Sequence, residues 1–396
     1  VAATTPDVSI IVVGWRRAPQ LLGCLHALRA APSLATREVL LALNEPAPEL
    51  VAELEAHTDL FDIVDASPVN RGFALANNDA AARASGDILF FVNDDALVQE
   101  GWLEPLVDRL VSEPHIGAVG SVQVDEHGRI VEAGAFVYRD GAPLQIDAAV
   151  LGGDAPVAGP VLYVSGAAVA VERATFQALG GFDPGYFPAY FEDADLSLKL
   201  LGAGLATWLE PRSVVRHHHG TGVARSYASF LTERNRSRFV ERWAPVLAQL
   251  PEHPSSYRPQ GARRDVEAVR STLSGLLEGE RFGPVLPNAT RPDDEELPER
   301  AAAITGEYVA SLEGRVQEAT ERIAELEAIE SHLQVLVAER QDALDRYVPR
   351  VSELEVLVRR LEHQLTALDE ELARFRSRLA VRAADKAAGL SRRIAP

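Results

Sequence analysis

Cysteine is nearly missing: Cys24 is the only one in 396 residues. One thiol excludes an intramolecular disulfide framework and a multi-cysteine zinc site. A reducing cytoplasm is the expected compartment. Methionine is absent even at position 1, so the sequence is expected to be a processed or excised part of something longer. Lys199 and Lys386 are the only lysines; the other basic residues are arginine, which points to a GC-rich genome more than to a function. No apolar run reaches the ~18 residues of a membrane-spanning helix. The longest candidate, 157–171, contains Gly159, Pro160 and Gly166 and reads as strands with a turn. The start lacks the basic-then-apolar pattern of a signal peptide. Positive charge is also in short supply: the net charge is −19, which argues against nucleic acid as a partner.

What is present is a chain that is 47% hydrophobic and long enough for more than one domain. Residues 1–245 alternate short apolar strands with amphipathic helices. Strands are expected at 8–13, 37–43 and 87–92, and helices at 19–30, around 78–85 and at 101–112. This alternation predicts an α/β fold with a mostly parallel sheet flanked by helices. In such sheets ligands bind beyond the carboxyl ends of the strands. Residues 246–300 are acidic and rich in proline, and read as a linker with one helix near 264–279. Residues 301–383 read as a coiled coil. Every seventh residue from Val309 to Leu379 is apolar except Glu330, and a second series from Leu312 to Phe375 is broken only at Arg340. Pro349 is expected to kink this helix; a hairpin turning near it is the rival. Residues 384–396 form a basic tail. From 374 onward, seven basic residues face the single acid Asp385, a composition suited to peripheral contact with anionic lipid. The location would then be cytoplasmic, at the inner face of a membrane.

Four clusters in the first region could carry chemistry. Asn93-Asp94-Asp95 ends an apolar strand. Glu192, Asp193 and Asp195 open a helical pattern. His217, His218 and His219 follow a strand-like stretch, and "NRGFALANN" (70–78) suits a loop. Carboxylates at a strand end with a histidine elsewhere suit a hard divalent cation, Mn²⁺ or Mg²⁺. Such a cation would make a nucleoside diphosphate a good leaving group, and a separate carboxylate could deprotonate an attacking hydroxyl. Each cluster has a plain structural alternative: acid pairs cap helices, and three histidines can form a surface loop. The joint occurrence in this order favours the chemical reading.

As a set, "VSIIVVGWRRAPQLLGCLHAL", "NRGFALANNDAAARASGDILFFVNDDALV", "VSGAAVAVERATFQALGGFDPGYFPAYFEDADLSLKLLGAG" and "VVRHHHGTG" resemble successive motifs of glycosyltransferase family 2, in its bacterial rhamnosyltransferase-like branch. "ERNRSRFVERW" (233–243) resembles that branch's closing helix. The resemblance covers about residues 7–245. It implies a GT-A fold and inverting transfer from a nucleotide-sugar. It also implies Asp95 and His217 as metal ligands, with His219 second to His217 and Asp94 beside the donor. Asp193 would be the catalytic base, and Glu192 would touch the acceptor. Gly14, Trp15 and Arg16 fall in the first nucleotide-binding loop; Asn70, Gly72 and Asn77 fall in a loop holding nucleotide or sugar. Two departures concern the nucleobase: Leu43-Asn44-Glu45-Pro46 stands where the family usually has Asp-Asn or Asp-Asp followed by Gly/Ala-Ser, and Arg16 stands where Asn is frequent.

The sequence therefore predicts a metal-dependent inverting glycosyltransferase. It would move a sugar to a hydroxyl of a bacterial surface glycan or lipid-linked acceptor, as a homo-oligomer joined by the coiled coil. The rivals are a catalytically inactive scaffold on a coiled coil and a sugar-nucleotidyltransferase.

Overall fold

The computed structural model describes residues 7–15, 18–217, 225–278, 287–339 and 352–374. The chain divides into two units, Val1–Pro298 and Glu299–Pro396.

The first unit opens with β1 (Val8–Trp15), α1 (Ala18–Ala30), β2 (Arg37–Asn44), α2 (Pro48–Glu55), β3 (Ile63–Ser67), α3 (Gly72–Arg83) and β4 (Ile88–Asn93). β1 is apolar on both faces, with Val8, Ile10, Ile11 and Val12 fully buried, because helices cover the sheet on both sides. Then follow β5 (Ala96–Val98), α4 (Glu104–Ser112), β6 (Ile116–Val124), β7 (Ile130–Glu132), β8 (Ala135–Val137), β9 (Pro143–Gln145), α5 (Ala148–Leu151) and β10 (Gly159–Val161). β11 (Ala168–Glu172), α6 (Arg173–Ala178), α7 (Glu192–Gly202), β12 (Ala206–His217), α8 (Arg225–Leu247) and α9 (Pro259–Glu278) complete the unit.

The main sheet runs β10-β12-β6-β11-β4-β1-β2-β3, with β5 on β12 and β7 on β6. The expectation of a mostly parallel sheet needs correcting. β4-β1-β2-β3 and β6-β12 are parallel, but β11 is antiparallel to both β4 and β6, and β10, β5 and β7 are antiparallel to their neighbours. β10 and β11, successive in the chain, run the same way and flank the parallel pair β12-β6, each antiparallel to the member it touches. The sheet is mixed α/β.

Two sequence boundaries also shift. The stretch 70–78 is mostly helix: α3 begins at Gly72, where φ is +68° and an added Cβ would lie 2.5 Å from Pro188 O. Residues 246–300 do not form a free linker, since α9 buries Ala262, Val266, Val269 and Leu273 in the same core as the sheet. Beyond it, Asn288 Oδ1 accepts from Lys199 Nζ at 2.8 Å, and the Ala289 amide donates to Asp183 at 2.9 Å. Arg291 pairs with Asp79, and Asp294 takes Arg71 Nη2 at 2.6 Å. Long-range pairs of this kind leave no periodicity in the sequence.

In the second unit, α10 (Leu297–Glu339, its first two residues before the boundary) and α11 (352–374) run antiparallel. Leu326 packs with Leu354 and Val358, and the Tyr308 hydroxyl donates to Glu371 at 3.0 Å. Pro349 lies outside the described residues.

Candidate active site

Strand register assembles one half of the site. β12 pairs antiparallel with β5, which sets His217 opposite Ala96 and so beside Asp95. His217 Nε2 lies 2.9 Å from Asp95 Oδ1, and its Nδ1 lies 2.6 Å from Gln123 Oε1. Gln123 Oε1 can accept from Nδ1, which leaves Nε2 facing the carboxylate, where it can donate a proton to Asp95 or share a cation with it. Neighbouring ligands of an octahedral ion with ~2.1 Å bonds lie about 3 Å apart, which the Asp95–His217 spacing matches. The remote nitrogen held by a neutral acceptor is also the arrangement that orients a ligating histidine. Among the described residues no three His, Cys, Asp or Glu side chains converge as one ligand set. An ion held here would have only Asp95 and His217 as such ligands among the described residues. His218 and His219 lie outside the described residues, as does Arg16.

Asp94 turns the other way and accepts the backbone N–H of Trp15, the last residue of β1. Burial and the neighbouring Asp95 push its carboxyl up to about 7. Trp15 sits level with Asn44 across β1 and β2. Gly14 packs tightly: an added Cβ would lie 2.9 Å from Leu21.

The second half is the start of α7. Phe191 takes a left-handed φ of 79° as the cap, and Glu192, Asp193 and Asp195 fill the first turn, where the helix dipole favours negative charge. Asp193 accepts from the Ala194 amide at 2.8 Å and the Gly166 amide at 3.2 Å. Burial raises its pKa against these two hydrogen bonds. Glu192 is raised well above the carboxylate range, chiefly by burial and then by the Asp193 charge, and its Oε2 is buried without a hydrogen bond. Burial thus favours the protonated form of both carboxyls, while the two amides on Asp193 oppose that by favouring its charge. Asp195 points beneath the site and accepts from Trp243 Nε1 at 2.8 Å.

Several residues expected to hold donor instead hold backbone. Asn44 donates to Gly72 O at 2.9 Å and accepts from the Arg71 amide at 3.1 Å. Asn70 accepts from the Gly72 amide at 2.8 Å. Asn77 is buried and donates to Phe73 O at 2.9 Å within its own helix. These bonds shape the start of α3.

Other polar groups had no motif to mark them. Gln123 is a buried amide in a strand whose only other polar side chain is Ser121, a signal available in the sequence. Glu132 is buried, and burial raises its carboxyl to about 7, with Asp193 adding to the rise and His217 opposing it. Asn235 clamps the chain before α7, donating to Tyr186 O, Ala189 O and Tyr190 O at 2.8–3.1 Å.

The family profile described as Glycosyl transferase family 2 matches residues 9–133. The O-antigen biosynthesis protein RfbC of Myxococcus xanthus is 33% identical over 227 residues, which is 54% of this chain and 17% of RfbC. The N-acetylglucosaminyl-diphospho-decaprenol L-rhamnosyltransferase of Mycobacterium tuberculosis is 27% identical over 197 residues, 43% of this chain and 61% of that protein. The chain thus spans less than two thirds of either relative. Among solved structures, GalNAc-T7 with UDP, GalNAc and Mn²⁺ superposes with a TM-score of 0.50 at 20% identity, over 62% of this chain and 50% of that one. That likeness shows a GT-A-like fold.

Proposed function

We propose, from the premise that this chain carries a glycosyltransferase family 2 domain, that it transfers a sugar from a nucleotide-diphosphate donor to an acceptor hydroxyl with inversion. The observation that carries this reading is Asp193, a half-buried carboxylate held by two amides at a helix start, beside the buried Glu192 and in a fold that also sets Asp95 on His217. Asp193 would take the proton of the acceptor hydroxyl as its oxygen attacks the anomeric carbon. The bond from that carbon to the diphosphate breaks on the opposite face, which inverts the configuration. Glu192 would offer its proton as a hydrogen bond to the acceptor. A divalent cation held by Asp95 and His217 would supply positive charge against the departing diphosphate. Mn²⁺ and UDP in the structural neighbour support a cation and a nucleotide donor; RfbC and the rhamnosyltransferase support a bacterial glycan or lipid-linked acceptor. The helical residues after Pro298 would space or oligomerise the domain, and 374–396, described only at Arg374, would meet anionic lipid.

Asp193→Asn tests the reading. Transfer should fall by roughly 10²–10⁴-fold, the range of a general base. Donor binding, followed by calorimetry, should persist with Mn²⁺ and weaken under EDTA. Transfer within about tenfold of wild type removes Asp193 as base; donor binding indifferent to EDTA removes the cation.

A further inference from the structure

Three consecutive residues tie the two halves of the site together. In the turn leading into β11, the Ser165 amide donates to Glu132 Oε1 at 3.0 Å. The next amide, Gly166, donates to Asp193 Oδ2 at 3.2 Å. The next carbonyl, Ala167 O, accepts from the Asn93 amide at 3.2 Å, and Asn93 begins Asn93-Asp94-Asp95. The turn has no slack on its other side. A Cβ on Gly166 would lie 2.8 Å from Phe73 Cζ and 3.8 Å from Asp193 Cβ. Glu132 is 1% exposed, and its second oxygen accepts from Gln145 Nε2 at 2.9 Å. Its partner in the sheet is Gln123, which holds the far nitrogen of His217.

We propose that Glu132 is a positioning residue of the transfer site: it holds the Ser165 amide, and so fixes the turn that sets Asp193 against the Asn93–Asp95 strand end. The proposal rests on Asp193 being the base. A buried carboxyl group whose hydrogen bonds come from neutral donors is a costly choice for packing alone. It suits a place where one side chain must accept from a backbone amide and from a neighbouring amide side chain at once.

The experiment compares Glu132→Gln with Glu132→Leu. Glutamine keeps an acceptor for the Ser165 amide, so kcat should stay within about threefold of wild type. Leucine fills the space without an acceptor. A misplaced base should then lower kcat by about 10- to 100-fold, with the donor KM within about twofold. Hydrogen exchange of the 165–167 peptide should quicken in the leucine variant and not in the glutamine variant. A leucine variant that transfers within twofold of wild type, or that loses kcat only in step with a rise in KM, overturns the proposal. Gln145→Ala, at an exposed position of β9, covers a leucine variant that does not fold. It loosens the second hold on the carboxylate and should lower kcat at unchanged KM; unchanged kcat counts against the proposal. The exchange measurement needs no activity, so it still reads the turn if Asp193→Asn shows that another group is the base.

Discussion

Glu132 is a carboxyl that the fold prefers neutral. Its usual value of 4.5 rises to about 7, first because it is buried and then because the Asp193 charge lies near. Its raised pKa contributes stability that is full below about pH 4.5 and lost as the pH climbs through about 7. Glu132→Gln stays neutral throughout. The stability of this variant relative to wild type should therefore rise between pH 4.5 and pH 8, by on the order of 3 kcal/mol. Urea unfolding at the two pH values measures it, and a difference independent of pH would show that burial does not shift this group. Residues of this kind also mark the limit of the sequence. Asp95, Asp193 and His217 could be grouped because each sits in a dense polar cluster at an element's end. Glu132 stands alone in "IVEAG", and only strand pairing brings it to Ser165. Asn44 and Asn77 show the reverse limit. Their type and place suggested a ligand contact, but a short amide can equally bond the backbone beside it, and the structure takes that option.

Among the elements, strands with both faces buried and amphipathic helices were the legible part, since their periods follow from what they cover. The register of β12 on β5 was not, because His217 could meet Asp95 only after a long excursion of the chain. α9 is the instructive case. Its surroundings are rich in proline and acid, which reads as a tether, yet Val266, Val269 and Leu273 form a buried stripe. Proline limits a segment's own secondary structure but not its docking on a neighbour. If α9 belongs to the core, Leu273→Ala should cost about 2–5 kcal/mol, the usual range for a buried leucine. Urea unfolding followed by tryptophan fluorescence reads this directly. A cost under about 0.5 kcal/mol, normal for a surface change, would return 246–300 to the status of a linker.

For the whole molecule the open choice lies in the heptads after residue 300. Their two apolar seams were legible at once, but a seam states only that a partner helix exists. An unbroken helix from Val309 to Leu379 would pair with other chains as a rod of about 106 Å. The described segments instead favour the hairpin, because α11 returns along α10 with Leu326 beside Leu354 and Tyr308 beside Glu371. The buried positions support this pairing: Leu312, Ile323 and Leu326 on one helix, and Leu354, Val358 and Leu372 on the other. Cross-linking separates the two arrangements. Tyr308→Cys and Glu371→Cys, in a Cys24→Ala background, would place two thiols within reach of a short bismaleimide in the hairpin. In a straight helix the same positions, 63 residues apart, are about 94 Å distant. The hairpin predicts a cross-link between residues 308 and 371 within one chain, its yield unchanged on dilution. Parallel rods would instead give 308–308 and 371–371 links between chains, at the mass of a dimer or higher. That result would restore the rod, and with it a fixed distance between the catalytic domain and the basic end of the chain.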